Sequence, residues 1–387
     1  MIQVKQKRYV GFAALCLMAS AFVSFAEAEP PVRLEQHVLT GKWITELDGR
    51  FMLDPQTSGL KYHAGYLYSL SDGSSHESQR RRLHKISKDS AKVVQKFGPT
   101  VFSQTVQQSC FYPYLSNRPD YEALVPLDPT GTQWLYVTED ASQGIQLTPQ
   151  CQQKYEDTHS TTYPTLLVKL ELSEESLTVT AVRPVQFPKS AQVGDSPNDG
   201  IEGLALTKDN TLLLGLEKDA SGQPKVFSTA LTNDFWDTQA FINVIDTQLS
   251  LPTFTSGNHP INGMDIYYPD DSSQGYLIAA ARNDEELWIV DLSKQKPTKI
   301  IPLLFLAPSI ANALSDAQKQ SAYCAPLHQM DNASLEGLAV VDQHIYMVND
   351  PWKTNYKKNI VCDADTSKYE EFSHLLFKLE INPRWFK

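Results

Sequence analysis

The residues best placed to do chemistry are acids and amides set directly before a small residue at the start of β-rich runs. Glu122 precedes Ala123-Leu124, Glu202 precedes Gly203-Leu204 and Glu336 precedes Gly337-Leu338. Asn262 and Ser58 hold the same place before Gly263-Met264 and Gly59-Leu60. After a short turn, each phrase continues into a second β-rich run that closes on polar residues. These are Asp72, then Glu139 and Asp140, Glu217 and Asp219, Asn283 and Asp284, and Asn349 and Asp350. Converging carboxylates are costly unless some are protonated or a cation is bound. Oxygen ligands with amide carbonyls among them favour Ca²⁺ over zinc or copper. Glu122, Glu202, Asn262 and Glu336 are therefore expected as calcium ligands, and Glu217 or Asp350 as the base that deprotonates an attacking water. Arg282 and Lys218, among the acids, are expected to hold an anionic substrate group, with charge balance as their competing role. Solvated strand ends are the competing role of the acids themselves.

For these residues to meet, the elements carrying them must repeat around one axis. The phrase occurs five times, its Leu or Met positions 60 to 80 residues apart. Each copy is followed by a third β-like segment, at 82–86, 166–170, 225–228, 287–291 and 376–379. A fourth follows in four copies, at 91–97, 177–187, 240–245 and 298–304. Four strands per unit in a series of units describe an all-β fold, a single β-propeller of four-stranded blades. Five repeats are counted, which allows five blades, or six if the insert at 307–332, read as partly helical, hides another. The last copy lacks a fourth strand, and the N-terminal segment 32–39 is expected to supply it and close the ring, removing exposed sheet edges. A β-sandwich is the alternative architecture. In a blade the start of strand one and the end of strand two share a face. Fourteen such positions, ten of them carboxylates, are thus expected around one channel mouth.

Composition limits what such a mouth can serve. The 387 residues carry 34 Lys+Arg and 45 Asp+Glu, a formal charge of −11, which argues against a nucleic-acid partner. Lys5, Lys7 and Arg8 precede an apolar stretch at 9–25 and an Ala26-Glu27-Ala28 cleavage site, the order of a secretory signal peptide. Residues 1–28 are read as that signal and 29–387 as the propeller, with no membrane span after cleavage. Losing three cations and Glu27 takes the mature charge from −11 to −13. The destination is expected to be a bacterial periplasm or the medium, and the protein a monomer. There Cys110, Cys151, Cys324 and Cys362 form an even set suited to two disulfides. Blade geometry favours Cys110–Cys151 and Cys324–Cys362, because each pair joins two loops on one face of one blade. Serine-hydrolase, zincin and P-loop motifs are missing from the sequence. Arg80-Arg81-Arg82 reads as a solvated basic loop entering a strand.

The phrase Asp199-Gly200-Ile201-Glu202-Gly203-Leu204-Ala205, followed by Leu212-Leu213-Leu214-Gly215-Leu216-Glu217, resembles the secreted bacterial "esterase-like activity of phytase" family. Ala333-Ser334-Leu335-Glu336-Gly337-Leu338-Ala339 with Met347-Val348-Asn349-Asp350 repeats it less completely. The resemblance implies a propeller fold and a calcium-dependent phosphoester or ester hydrolase. By position alone, the acid ring is also similar to the metal centre of calcium lactonases of the gluconolactonase and paraoxonase kind. The expected protein is an exported calcium-binding propeller hydrolysing a small anionic or ester substrate. The alternative is a non-catalytic propeller that binds a protein partner or small ligand around a structural calcium.

Overall fold

A computed structural model describes residues 29–138, 147–154, 165–174, 176–191, 193, 200–309 and 325–387. The expectations placed on residues 1–28, Glu139, Asp140, Asp199 and Cys324 lie outside the described residues.

Short β-rich runs separated by turns build five sheets, antiparallel within each blade. Three short strands come first: β1 (Val32–Arg33), β2 (His37–Thr40) and β3 (Lys42–Trp43). Blade one holds β4 (Thr57–His63), β5 (Tyr66–Ser71), β6 (Leu83–Ser87) and β7 (Lys92–Phe97). After the two-residue β8 (Val101–Phe102), blade two holds β9 (Tyr121–Pro126), β10 (Gln133–Thr138), β11 (Leu166–Leu172) and β12 (Leu177–Gln186). Blade three holds β13 (Ile201–Leu206), β14 (Thr211–Leu216) and β15 (Val226–Ala230); β16 (Ile242–Asn243) and β17 (Ile245–Asp246) follow in sequence. Blade four holds β18 (Ile261–Tyr267), β19 (Tyr276–Ala281), β20 (Glu286–Asp291) and β21 (Lys299–Pro308), with β22 (Leu327–Gln329) antiparallel beside β21. Blade five holds β23 (Leu335–Val341), β24 (His344–Asn349) and β25 (Leu375–Glu380).

The first strands of the blades pack on one another in the order β4, β9, β13, β18, β23 and back to β4. The ring closes at five, which decides between five and six blades. Described residues 325–332 of the insert carry β22; its residues 310–324 lie outside the described set. Inner strands crowd the axis, and glycine is what lets them. A Cβ on Gly337 would lie 2.8 Å from the backbone of Gly59 and Leu60, and one on Gly263 would lie 3.0 Å from the Leu338 nitrogen.

The N-terminus closes the ring, but not through the expected residues. Lys42 and Trp43 of β3 pair with Leu376 and Leu375 as the fourth strand of blade five. Segment 32–39 instead runs parallel to β21 of blade four, with Val32 opposite Lys299 and Val38 opposite Leu304. Val38 is 60 % exposed, so its apolar alternation does not mark a buried face. A second correction falls in blade three. Residues 242–243 join β12 of blade two, and the fourth strand is β17 alone.

Apolar clusters fill the spaces between neighbouring blades, with Trp134 and Tyr136 in one and Trp288 in another. The axis is plugged. Lys61 of β4 reaches across to β18, donating to the Met264 carbonyl and pairing with Asp265 Oδ1 at 3.2 Å. Asp265 Oδ2 in turn accepts from the Val340 nitrogen of β23 at 2.9 Å. The space left at the centre is a cavity of about 10 Å³, near the lower limit for a single water. The axis is therefore closed beneath the acid-bearing strand starts.

Cys110 and Cys151 form the expected disulfide. Cys362 is also disulfide-bonded, and its expected partner Cys324 lies outside the described residues. Among the described residues no helix is long and apolar enough to cross a membrane.

Candidate functional site at the channel mouth

Glu122, Glu202, Asn262 and Glu336 are each the second residue of an inner strand. In all four blades the pairing register slips at that residue. Glu202, for example, is skipped between the pairs Ile201–Leu216 and Gly203–Gly215. A bulge frees its residue from the ladder and re-aims the side chain. In blade one the skipped residue is Gly59, so Ser58 stays paired with Leu70.

The structure gathers Glu202, Asn262 and Glu336 around Arg282, which follows β19, while Glu122 faces Glu202, Asp120 and Asp72. Arg282 Nη1 is ion-paired with Glu336 Oε1, its Nη2 lies 3.6 Å from Asp350 Oδ2, and its Nε donates to Ser334 Oγ at 2.9 Å. Asn262 Nδ2 donates to the other oxygen of Glu336 at 2.8 Å. The guanidinium also lies 5.9 Å from the ring of Trp352, which is 48 % exposed and forms an apolar lip. Among the described residues Lys218 is ion-paired with Glu217 alone, at 3.8 Å.

Burial and crowding reshape the acids. Burial first, then repulsion from Glu217, pushes the Glu202 carboxyl up to about 8, with Arg282 pulling the other way. Asp350 is pushed up to about 6 by burial, against the pull of Arg282. Burial likewise holds Glu122, Glu336 and Asp72 well above the usual carboxylate range; neighbouring acids add to it in each case. For Arg282 burial works against the charge, but Glu336, Asp350, Glu202 and Glu217 outweigh it and hold the guanidinium above its usual value. Glu202 thus carries a proton at neutral pH, while Asp350 is mostly ionised.

Several expected mouth residues turn elsewhere. Asp219 accepts from the nitrogens of Ser221 and Gln223 in its own turn. Asp284 pairs with His259 at 2.9 Å, and Asn283 donates to the Asn258 carbonyl. Asn349 Oδ1 accepts from the Leu375 nitrogen and so pins β25 to the end of β24. Other residues join without having been anticipated. Asp120 accepts from the Gly73 nitrogen and faces both Asp72 and Glu122; Asp54, held by Lys353 at 3.4 Å, faces Asp350. Asp120 had no repeated signal, since it stands two residues before Glu122 whereas Asp199 stands three before Glu202. Asp54 sits in an irregular loop with none.

Calcium fits this arrangement poorly as it stands. Among the described residues no three acids or histidines converge in a group that could hold a metal ion. Both Glu336 oxygens are already bonded, and the cation among the acids is Arg282.

The fold and site define a five-bladed β-propeller with an acid-lined mouth built around an arginine. No family model matches the chain, and no curated protein does. Solved structures similar to it include an exo-β-1,3-galactanase from Clostridium thermocellum, at 11 % identity and TM-score 0.47. That match covers 89 % of this chain but only 62 % of the galactanase, so this chain spans less than two thirds of it. An α-L-arabinofuranosidase from Podospora anserina matches at 10 % identity and TM-score 0.43, over 90 % of this chain and 96 % of its own. An exported protein from Bacteroides fragilis matches at 12 % and 0.37, over 91 % and 99 %. At these scores the likeness assigns no activity to this chain.

Proposed function

We propose that this protein is an exported hydrolase whose acid-lined mouth works by carboxylate acid–base chemistry around Arg282. The observation that carries the reading is one guanidinium tethered to Glu336 and Asp350, beside a Glu202 carboxyl raised to about 8. Paired carboxyls whose environments push their titrations apart supply an acid and a base at one pH. Asp350 takes a proton from water as the oxygen attacks an acyl or phosphoryl centre. Glu202 gives its proton to the departing alkoxide, so the bond to the leaving oxygen breaks without a free anion. Arg282 and Lys218 hold an anionic or polar group of the substrate, and Trp352 offers it a face to lie on. Export rests on the signal-like residues 1–28, and the Cys110–Cys151 bridge suits an oxidising compartment.

The test is turnover of glycerol phosphate and ethyl butyrate, whose alkoxide leaving groups need a proton, by wild type, Glu202→Gln and Asp350→Asn. At least one substrate is turned over, and each variant loses about 100-fold or more in kcat. Folded wild type without turnover, or variants with full kcat, would overturn the reading.

One observation favours a second reading, calcium binding, with or without catalysis. Asn262 Oδ1, Glu217 Oε2 and Asp350 Oδ1 are buried without a hydrogen-bond partner, and buried hard oxygens of this kind suit Ca²⁺. With Glu122 and Glu202 they would be the donors, and Arg282 would have to give way. A melting temperature raised by millimolar calcium and lowered by EDTA supports it; an unchanged one removes it.

A further inference from the structure

A second charged feature lies on the same face as the acidic mouth and has the opposite sign. Arg80, Arg81 and Arg82, in the β5–β6 connection, line an open pocket with Glu77, Ser78, Pro99 and Asn117. Arg118, next to Asn117, belongs to the same cluster: its charge, like that of Arg81, bears on Arg80. Each guanidinium is anchored through a single nitrogen to a backbone carbonyl: Arg80 to Ser75, Arg81 to Ser116, Arg82 to Gly98 and Arg118 to Gly73. None is ion-paired among the described residues. The buried Nε atoms of Arg80 and Arg82 have no hydrogen-bond partner. Arg81 is held at φ +57°, a backbone conformation that costs an arginine free energy.

Four arginines stand against Glu77 in the lining, with Asp72 bearing on Arg80 and Glu46 on Arg82 without an ion pair, and leave a local excess of positive charge in a chain of charge −11. Carbonyl anchors hold each planar fork in place, and the Arg80, Arg81 and Arg82 side chains border one open pocket with Arg118 close by. Such forks match the oxygens of a phosphate or sulfate group. We propose that this pocket is a binding site for an oxyanion, a phosphate or sulfate group, either free or carried by a larger ligand. It is separate from the acid–base site and does not rest on that reading. The turn at 72–75 lies between them: Asp72 faces the acids and also bears on Arg80, while the Gly73 and Ser75 carbonyls hold Arg118 and Arg80.

The experiment is calorimetric titration of the full chain with inorganic phosphate, then sulfate, at low and high sodium chloride. Wild type binds one phosphate per chain, more weakly as salt rises. Arg80→Gln with Arg82→Gln lowers affinity at least tenfold, and without phosphate this variant melts no lower than wild type because repulsion is relieved. Should that variant fail to fold, the exposed Arg118→Gln serves and lowers affinity at least threefold. Binding of p-nitrophenyl phosphate with the same loss in the variants shows that a carried group is accepted; binding of inorganic phosphate alone restricts the site to the free ion. No binding to wild type, or equal affinity in the variants, would overturn the proposal.

Discussion

At the scale of single residues, Arg282 decides how the acids behave. Replacing it by Gln leaves Glu336 and Asp350 buried without their cation, at a cost of about 3–5 kcal/mol near pH 7. The loss shrinks at pH 5, where the orphaned carboxyls take up protons; chemical denaturation at the two pH values checks both figures. Glu202 gives a second pH dependence. Its folded-state value of about 8 lies above the ordinary 4.5. Between those values the folded chain holds a proton that the unfolded chain has released, so this group's contribution to stability falls as pH rises from 4.5 to 8. Glu202→Gln should therefore melt higher than wild type at pH 8 and close to it at pH 4.5. Equal melting at pH 8 would contradict the raised value. The glutamates were legible in the sequence because Glu recurs before Gly or Ala. Arg282 was legible as a cation among the acids, but its pairing with Glu336 and Asp350 was not, since only folding brings the end of β19 against them.

At the scale of elements, the bulged inner strands are what turn a repeated phrase into a site. Gly337→Ala puts a methyl group 2.8 Å from backbone atoms of the next blade, which have no room to yield. A loss of about 1–3 kcal/mol is expected in urea denaturation. Four-strand periodicity made the blades readable, because each inner strand is apolar enough to stand out. Short outer strands were not readable: β3 and β17 have two residues each, too few to show alternation. That is why the closing strand was placed at 32–39 instead of 42–43. Asp219 and Asp284 show the same limit at the strand ends, where a following Ser or a nearby His captures an acid locally.

At the scale of the whole molecule, a ring plugged by Lys61 and Asp265 makes one face of the propeller the working face. The Cys110–Cys151 bridge, spanning 41 residues, ties loops on that face. Replacing both by Ser should cost up to about 4 kcal/mol, read as a lower denaturation midpoint with the mouth chemistry intact. The acids and arginines of this face divide into an acid–base site and an oxyanion pocket, a separation invisible to a net charge of −11. The most direct measurement of the central claim is the pH profile of kcat/KM for whichever substrate is turned over. Because the acids titrate together, the limbs belong to the cluster. The account predicts a bell with limbs near 6 and 8, Asp350 ionised and Glu202 protonated between them, and loss of the alkaline limb in Glu202→Gln. A profile flat across pH 5–9 in wild type, or one that Glu202→Gln leaves unchanged, would contradict it.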